Sequence, residues 1–415
     1  MKNMKKKGFT LVELLVVIAI VAILATVSVI GYTVFIDKAN QSADQTAVTE
    51  MNTILSDLTL SKDNITVDEV IETLIANKYN GNLTTYYSGY QLAWLASEES
   101  IVLVENNAVV YPEKFAGVTG FELINPMATD ADALTNGLAD GKIVYVADDI
   151  TAEEGLSPDA AGEYVVNLNG NTLNSNNYVG SWVDGGKLVV SNGVIDATAS
   201  GQKISVYADE GGYVELTNVQ VYSAATANPL QCYGGTMVLN NVTTAQHGVA
   251  DTSWYNSAIQ VVNNITYPEK DPATNKHVIY GENANLTVNG GMYSGDKAIQ
   301  ISAPGGNVTI NSGTFIGTTA VINADFAKDN YTHTEGKTYE SVITINGGSF
   351  TGNIKVSDDT VLVINGGTFS FNPATGIAKA LNSDGSVKTV SSYANITING
   401  TVVDNGNGTW TVTNN

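Results

Sequence analysis

A chain of 415 residues is long enough for two or three domains, and its 43% hydrophobic content can fill real cores. Charged residues reach only 14%, and 40 glycines with many Asn, Thr and Ser replace them, a mixture suited to short strands joined by turns. The net charge is −22, and all 19 basic residues are lysine against 41 acidic ones, which excludes a basic nucleic-acid face and any guanidinium chemistry.

In chain order, residues 1–8 hold four lysines and no acid, and residues 14–36 carry no charge at all. That run is long enough to span a bilayer as a helix, with the lysines keeping the N-terminus cytoplasmic and sending the bulk outward. Glu13 sits near the start of the apolar run, where an ionised carboxylate is costly without a partner. A secretory signal peptide would have an apolar core of about 7–15 residues with its cleavage site behind it, whereas the better site here precedes the core. The stretch Lys7-Gly8-Phe9-Thr10-Leu11-Val12-Glu13 resembles the class III signal of type IV prepilins and type II secretion pseudopilins. The resemblance implies cleavage between Gly8 and Phe9 by prepilin peptidase, N-methylation of Phe9, and pairing of Glu13 with the N-terminal ammonium of a neighbouring subunit. Other pilin subunits and the pilus assembly machinery are then its partners. The implied location is the cell membrane, single-pass with the N-terminus cytoplasmic, before assembly, and the cell surface or an extracellular pilus afterwards.

With 1–8 as leader peptide, residues 9–60 read as one helix whose second half keeps a stripe of Ala43, Ala47, Met51, Ile54, Leu55 and Leu58. Residues 61–115 read as a small α+β head. In it, residues 64–66 cap a helix over 67–78, and residues 90–111 alternate like strands around a turn at 105–107, with Trp94 as core. The order of elements resembles the compact heads of Gram-positive pilin-like proteins. Residues 116–141 read as a linker and capping helix, the helix over 130–139, and residues 142–149 as the first strand of a second, larger domain.

Residues 142–403 contain a repeat: alternating apolar residues, then Asn, Ser or Thr, two turn residues, and an apolar residue four positions on. Its index position falls at 169, 191, 217, 240, about 263, 289, 311, 346, 365 and 399, with spacings of 19 to 35 that cluster in the low twenties. Such a period, rich in Val, Ile, Asn and Gly, means one solenoid coil per repeat, with the index residues forming a ladder of turn side chains. It resembles the right-handed parallel β-helix of the pectate-lyase-like superfamily, with ten or eleven coils and a C-terminal hairpin over 401–413 covering the last edge. The fold class is therefore mainly β: a long N-terminal α-helix with a small α+β pilin-like head, then a right-handed single-stranded parallel β-helix over 142–415.

No catalytic set emerges. Asp148–Asp149 and Asp358–Asp359 occupy different positions in the repeat, as do Asp196, Asp251, Asp296 and Asp325, so they read as solvated turns. No metal site or cofactor is expected: calcium on turn aspartates lacks an EF-hand spacing, and His247, His277 and His333 form no ligand pair. The lone Cys232 excludes an internal disulfide and reads as a small inward-facing residue. The longer loops carry Trp254, Tyr255, Tyr267, Tyr280, Tyr331 and Tyr339, rings that either stack on glycans or cover the flank of the rod. The expected function is a minor or tip pilin-like subunit that displays the β-helix for adhesion, with glycans as candidate partners. A surface-attached polysaccharide lyase or hydrolase and a non-binding spacer are the alternatives.

Overall fold

The computed structural model describes residues 11–413 apart from 78–84, 88, 125–127, 139–141, 210, 247–255, 266–269, 282, 325, 327–329, 334–338, 358–359 and 380–394, with side chains from residue 35 onward except at 75, 76, 142, 246, 333, 378 and 379. The chain divides into two units, Met1–Pro126 and Met127–Asn415.

The first unit begins with α1 (Leu11–Ser61), 51 residues and so about 77 Å long at 1.5 Å per residue. Its buried stripe is Asp44, Val48, Met51 and Leu55, at helical spacing. Ala43, expected in the stripe, is exposed. Asp44 takes the buried place because its carboxylate accepts two backbone N–H bonds, from Tyr86 at 2.7 Å and Tyr87 at 2.9 Å. α2 (Val67–Ala76) starts with a reciprocal capping box: the Thr66 N–H donates to Glu69 at 3.1 Å and the Glu69 N–H to Thr66 Oγ1 at 3.3 Å. A second contact to Glu69 comes from Lys62. Together they hold the Glu69 carboxyl below its ordinary value, the Lys62 hydrogen bond contributing most.

Behind the helices lies an antiparallel sheet of β1 (Gln91–Leu95), β2 (Ser100–Glu105), β3 (Ala108–Tyr111) and β4 (Glu122–Leu123), in the order β3-β2-β1-β4. Trp94 is buried in this head, with Nε1 donating to the Ile65 carbonyl at 3.2 Å. Asn52 of α1 grips β2 at both ends of one residue: Nδ2 donates to Ile101 O at 2.9 Å, and Ile101 N donates to Asn52 Oδ1 at 2.7 Å. The segment read as linker supplies β4, paired through Ala93–Leu123 and Trp94–Glu122. Both of its residues are exposed, so the alternation that reveals a strand in sequence is missing there.

The second unit is a parallel β-helix with three stacked sheets. Asp130 caps the short helix Ala131–Gly137, its carboxylate accepting from Ala133 N at 2.8 Å. Among the described residues the first sheet holds ten strands, and its register runs Val144, Val166, Val190, Leu216, Leu239, Val288, Ile310, Ile345, Ile364 and Ile398, one residue per coil. At a spacing of about 4.8 Å, ten strands extend roughly 45 Å along the axis. After the turn, the second sheet buries Ile150, Leu173, Ile195 and Val221 and then a column of rings. Tyr293, Phe315, Phe350 and Phe369 stack nearly parallel with centroids 5.2, 5.1 and 4.9 Å apart. The third sheet contributes Val206, Leu230, Ile259, Ile299, Ile322 and Ile354 to the same core. A C-terminal hairpin, Thr401–Asp404 with Trp410–Thr413, pairs antiparallel onto Gly367–Phe369 and closes that edge of the second sheet.

The turn ladder exists but sits differently from the sequence reading. Ser191 pairs with Asn167, not Asn169, because two extra residues occupy the first coil's turn. Asn192, Asn218 and Asn241, one place after the index, donate in turn to Asn167, Asn192 and Asn218. All three adopt positive φ, which asparagine tolerates. From Asn240 onward the ladder occupies the index position, through Asn289, Asn311, Asn346, Asn365 and Asn399, each donating to the preceding rung at 2.7–2.9 Å. There the positive φ passes to glycine two places later, as at Gly313 and Gly348. The copy expected near 263 is no coil: 49 residues separate Asn240 from its ladder partner Asn289. The strand Ser257–Val262 belongs to the third sheet, paired with Asn228–Tyr233 and with 297–301.

Candidate functional site

In the third sheet the residues alternating with the core row face outward. In register they are Gly180, Tyr207, Gln231, Gln260, Gln300, Asn323 and Lys355. At one end of this row three half-buried rings meet. Trp182 stacks on Tyr207 with centroids 5.6 Å apart and planes 22° apart, and Tyr178 meets Tyr207 edge-on at 5.0 Å. Gly180 makes the arrangement fit: a Cβ there would lie 2.0 Å from the Tyr207 carbonyl oxygen and 3.2 Å from its ring. The patch is amphipathic, with broad apolar faces beside polar tips, the kind of surface that packs against a sugar ring.

Next along the row is a chain of amides that satisfy one another. Gln231 Nε2 donates to Gln260 Oε1 at 2.7 Å, Asn228 Nδ2 to the same oxygen at 2.8 Å, and Gln260 Nε2 to Ser302 Oγ at 3.1 Å. Farther on, Asn323 Nδ2 donates to Gln300 Oε1 at 2.9 Å. Gln260 is buried, whereas Gln300 and Asn323 are half-exposed, so polar groups facing solvent lie toward the far end.

The expected loop aromatics divide. Trp254, Tyr255 and Tyr267 lie outside the described residues, as does His247. Tyr331 and Tyr339 act as covers: their hydroxyls donate to the carbonyls of Ser302 at 2.9 Å and Gly281 at 2.8 Å. Both pack on a small cluster of Val262, Ile265, Ile279 and Ala303, and burial pushes the Tyr331 hydroxyl pKa up. There His277–Ile279 and Tyr331–His333 form a two-stranded parallel sheet, with the His277 ring 6.0 Å from Tyr331. Tyr280 is 39% exposed, so part of its side chain faces solvent. Trp182, Tyr178 and Tyr207 escaped the sequence reading because they belong to coils, not to long loops. The available signal was Gly180, a glycine inside a strand two residues before a tryptophan.

Of the aspartates read as turn residues, Asp149 reaches the next coil and Asp196 closes its own turn. Asp149 Oδ1 accepts from Thr172 N at 2.7 Å, and Asp196 Oδ1 accepts from Thr198 N at 2.9 Å. Asp251, Asp325, Asp358 and Asp359 lie outside the described residues, among which no cluster of three or more His, Cys, Asp or Glu could hold a metal ion. Cys232 is buried, its Sγ 3.1 Å from the Gly235 carbonyl, and burial pushes its thiol up to about 12.

At the N-terminus, Gly8 and Phe9 lie outside the described residues, and Glu13 falls within α1 with its side chain undescribed. Among the described residues no helix is long and apolar enough to cross a membrane. The uncharged run 14–36 falls almost entirely before residue 35, where side chains are not described. Residues 3–29 match the prokaryotic N-terminal methylation motif, which spans Gly8, Phe9 and Glu13. A motif of this kind, type IV prepilin-like, implies processing by prepilin peptidase, a membrane-anchored precursor and assembly with pilus machinery. No solved structure matches the chain.

Proposed function

We propose that the chain is a minor or tip type IV pilin-like subunit that carries its β-helix to the cell surface for adhesion to glycans. Prepilin peptidase cuts between Gly8 and Phe9 and Phe9 is methylated. Residues 14–36 anchor the precursor with a cytoplasmic N-terminus, and Glu13 pairs with a neighbouring subunit's ammonium during assembly. A rod of about 45 Å on every subunit would crowd a helical shaft, which favours a minor or terminal position. The observation that carries the adhesive reading is the ring patch of Tyr178, Trp182 and Tyr207, seated on a strand scaffold and held by Gly180. Tyr280, Trp254, Tyr255 and Tyr267 of the longer loops are further candidates by their residue type alone.

The test is retention of the full chain, kept in detergent, on a panel of immobilised polysaccharides. Trp182→Ala and Tyr207→Ala are each expected to weaken retention about tenfold, near 1.4 kcal/mol, with secondary structure intact by circular dichroism. Retention unchanged in both variants overturns the assignment of the patch, and release of oligosaccharides would point to a lyase or hydrolase instead.

A further inference from the structure

Where the second sheet turns into the third, three side chains close a ring of polar contacts. Asn256, 4% exposed, lies just before the strand Ser257–Val262, and Asp296 and Lys297 occupy the same corner one coil on. Lys297 Nζ donates to Asn256 Oδ1 at 2.8 Å, and Asn256 Nδ2 donates to Asp296 Oδ2 at 3.0 Å. Lys297 Nζ also stands 3.3 Å from Asp296 Oδ2, and the Lys297 and Asp296 side chains are 18% and 17% exposed. The carboxylate is fixed from the next coil, its other oxygen accepting from Thr318 Oγ1 at 3.2 Å and from Thr319 Oγ1. Backbone pairing locks the arrangement, with Ser257 opposite Lys297 in register.

We propose that Lys297 and Asn256 form a spontaneous intramolecular isopeptide bond, with Asp296 carrying the protons. A carbonyl C=O is about 1.23 Å long, so the hydrogen bond to Oδ1 places Nζ about 3–4 Å from Cγ, close to the separation of reacting atoms in a near-attack geometry. The carboxylate touches both the nucleophile and the leaving nitrogen, as a proton shuttle must. Lys297 passes a proton to Asp296, and the free amine attacks Asn256 Cγ, forming the Nζ–Cγ bond. The tetrahedral centre collapses with cleavage of Cγ–Nδ2. Two protons move in all from Nζ to Nδ2 through Asp296, so an ammonium and a primary amide become a secondary amide and ammonium. Nothing is oxidised or reduced, and no co-reactant is consumed. The bond would staple the strand Ser257–Val262, which lies within the span of 49 residues between Asn240 and Asn289, to the next coil. A covalent tie there resists unzipping when a surface rod is pulled.

The test is the intact mass of the full chain under denaturing, reducing conditions, expressed without prepilin peptidase so that the N-terminus is uniform. The expected mass is lower than the sequence mass by one ammonia, with tandem spectra joining the Lys297 peptide to the Asn256 peptide. Asp296→Asn, close to isosteric, and Lys297→Arg are each expected at full sequence mass, with a circular dichroism spectrum like that of the parent. A parent chain at full sequence mass overturns the proposal. So does an ammonia loss that maps to another asparagine, or a cross-link that forms at the parent's rate in Asp296→Asn.

Discussion

Thr244 interrupts an apolar row. It follows Ile150, Leu173, Ile195 and Val221 on the inner face of the second sheet, and its buried hydroxyl has no hydrogen-bond partner among the described residues. An unsatisfied buried hydroxyl costs about 1–3 kcal/mol, and valine keeps the same shape without it. Thr244→Val is therefore expected to stabilise the β-helix by about 1 kcal/mol, read as a rise in the urea midpoint at unchanged slope. The opposite outcome is expected at Asn311, which donates to Asn289 at 2.7 Å and accepts from Asn346 at 2.8 Å. An ionised aspartate there keeps the acceptor but loses the donor, leaving two oxygens facing each other. Asn311→Asp should lower stability by about 1–2 kcal/mol at neutral pH, and equilibrium unfolding against the parent checks it.

At the scale of elements, the ring column of the second sheet welds four coils together. Phe350 lies between Phe315 and Phe369, fully enclosed, so truncation leaves a cavity that neighbouring strands cannot fill without breaking register. Phe350→Ala is expected to cost about 3–5 kcal/mol, measurable in the unfolding transition of the β-helix while near-ultraviolet signals from Trp94 in the head persist. These elements are legible in the sequence because each coil repeats one period-2 strand and one turn, so Val308, Ile310 and Phe315 announce their partners Ile343, Ile345 and Phe350. Features without that redundancy stay hidden. By sequence only Asn169 fits the index, with Leu173 four positions on, and the pairing with Ser191 is what moves the rung to Asn167. The segment near 263 copies the apolar pattern of a coil start, but that pattern also suits a third-sheet strand, and sequence alone carries no label for the sheet. Asp44 shows only as a gap in an apolar stripe, since its burial depends on two amides more than 40 residues away. The ring patch is hidden for the same reason, because Tyr207 reaches Tyr178 and Trp182 only across coils.

For the molecule as a whole, the methylation motif and the β-helix place opposing demands on one chain. The N-terminal segment requires intimate packing of many subunits, whereas a rod of about 45 Å demands room around each one. The minor or terminal position proposed above would reconcile them, and in that proposal Glu13 is the residue on which incorporation turns. A carboxylate at the head of an apolar run is costly unless a cation neutralises it, and in the proposed assembly the N-terminal ammonium left by cleavage after Gly8 is that cation. Glutamine keeps the size and hydrogen-bonding capacity but removes the charge, leaving the neighbour's ammonium buried and uncompensated, at a cost of several kcal/mol. With processing placed before assembly in the proposed sequence of events, Glu13→Gln is expected to be cleaved and methylated normally yet retained in the membrane. Mass spectrometry of the N-terminal peptide reads the first half of that outcome, and comparing sheared surface fractions with membrane fractions reads the second. Wild-type levels of the variant in the sheared fraction would show that charge pairing does not govern its entry into the filament.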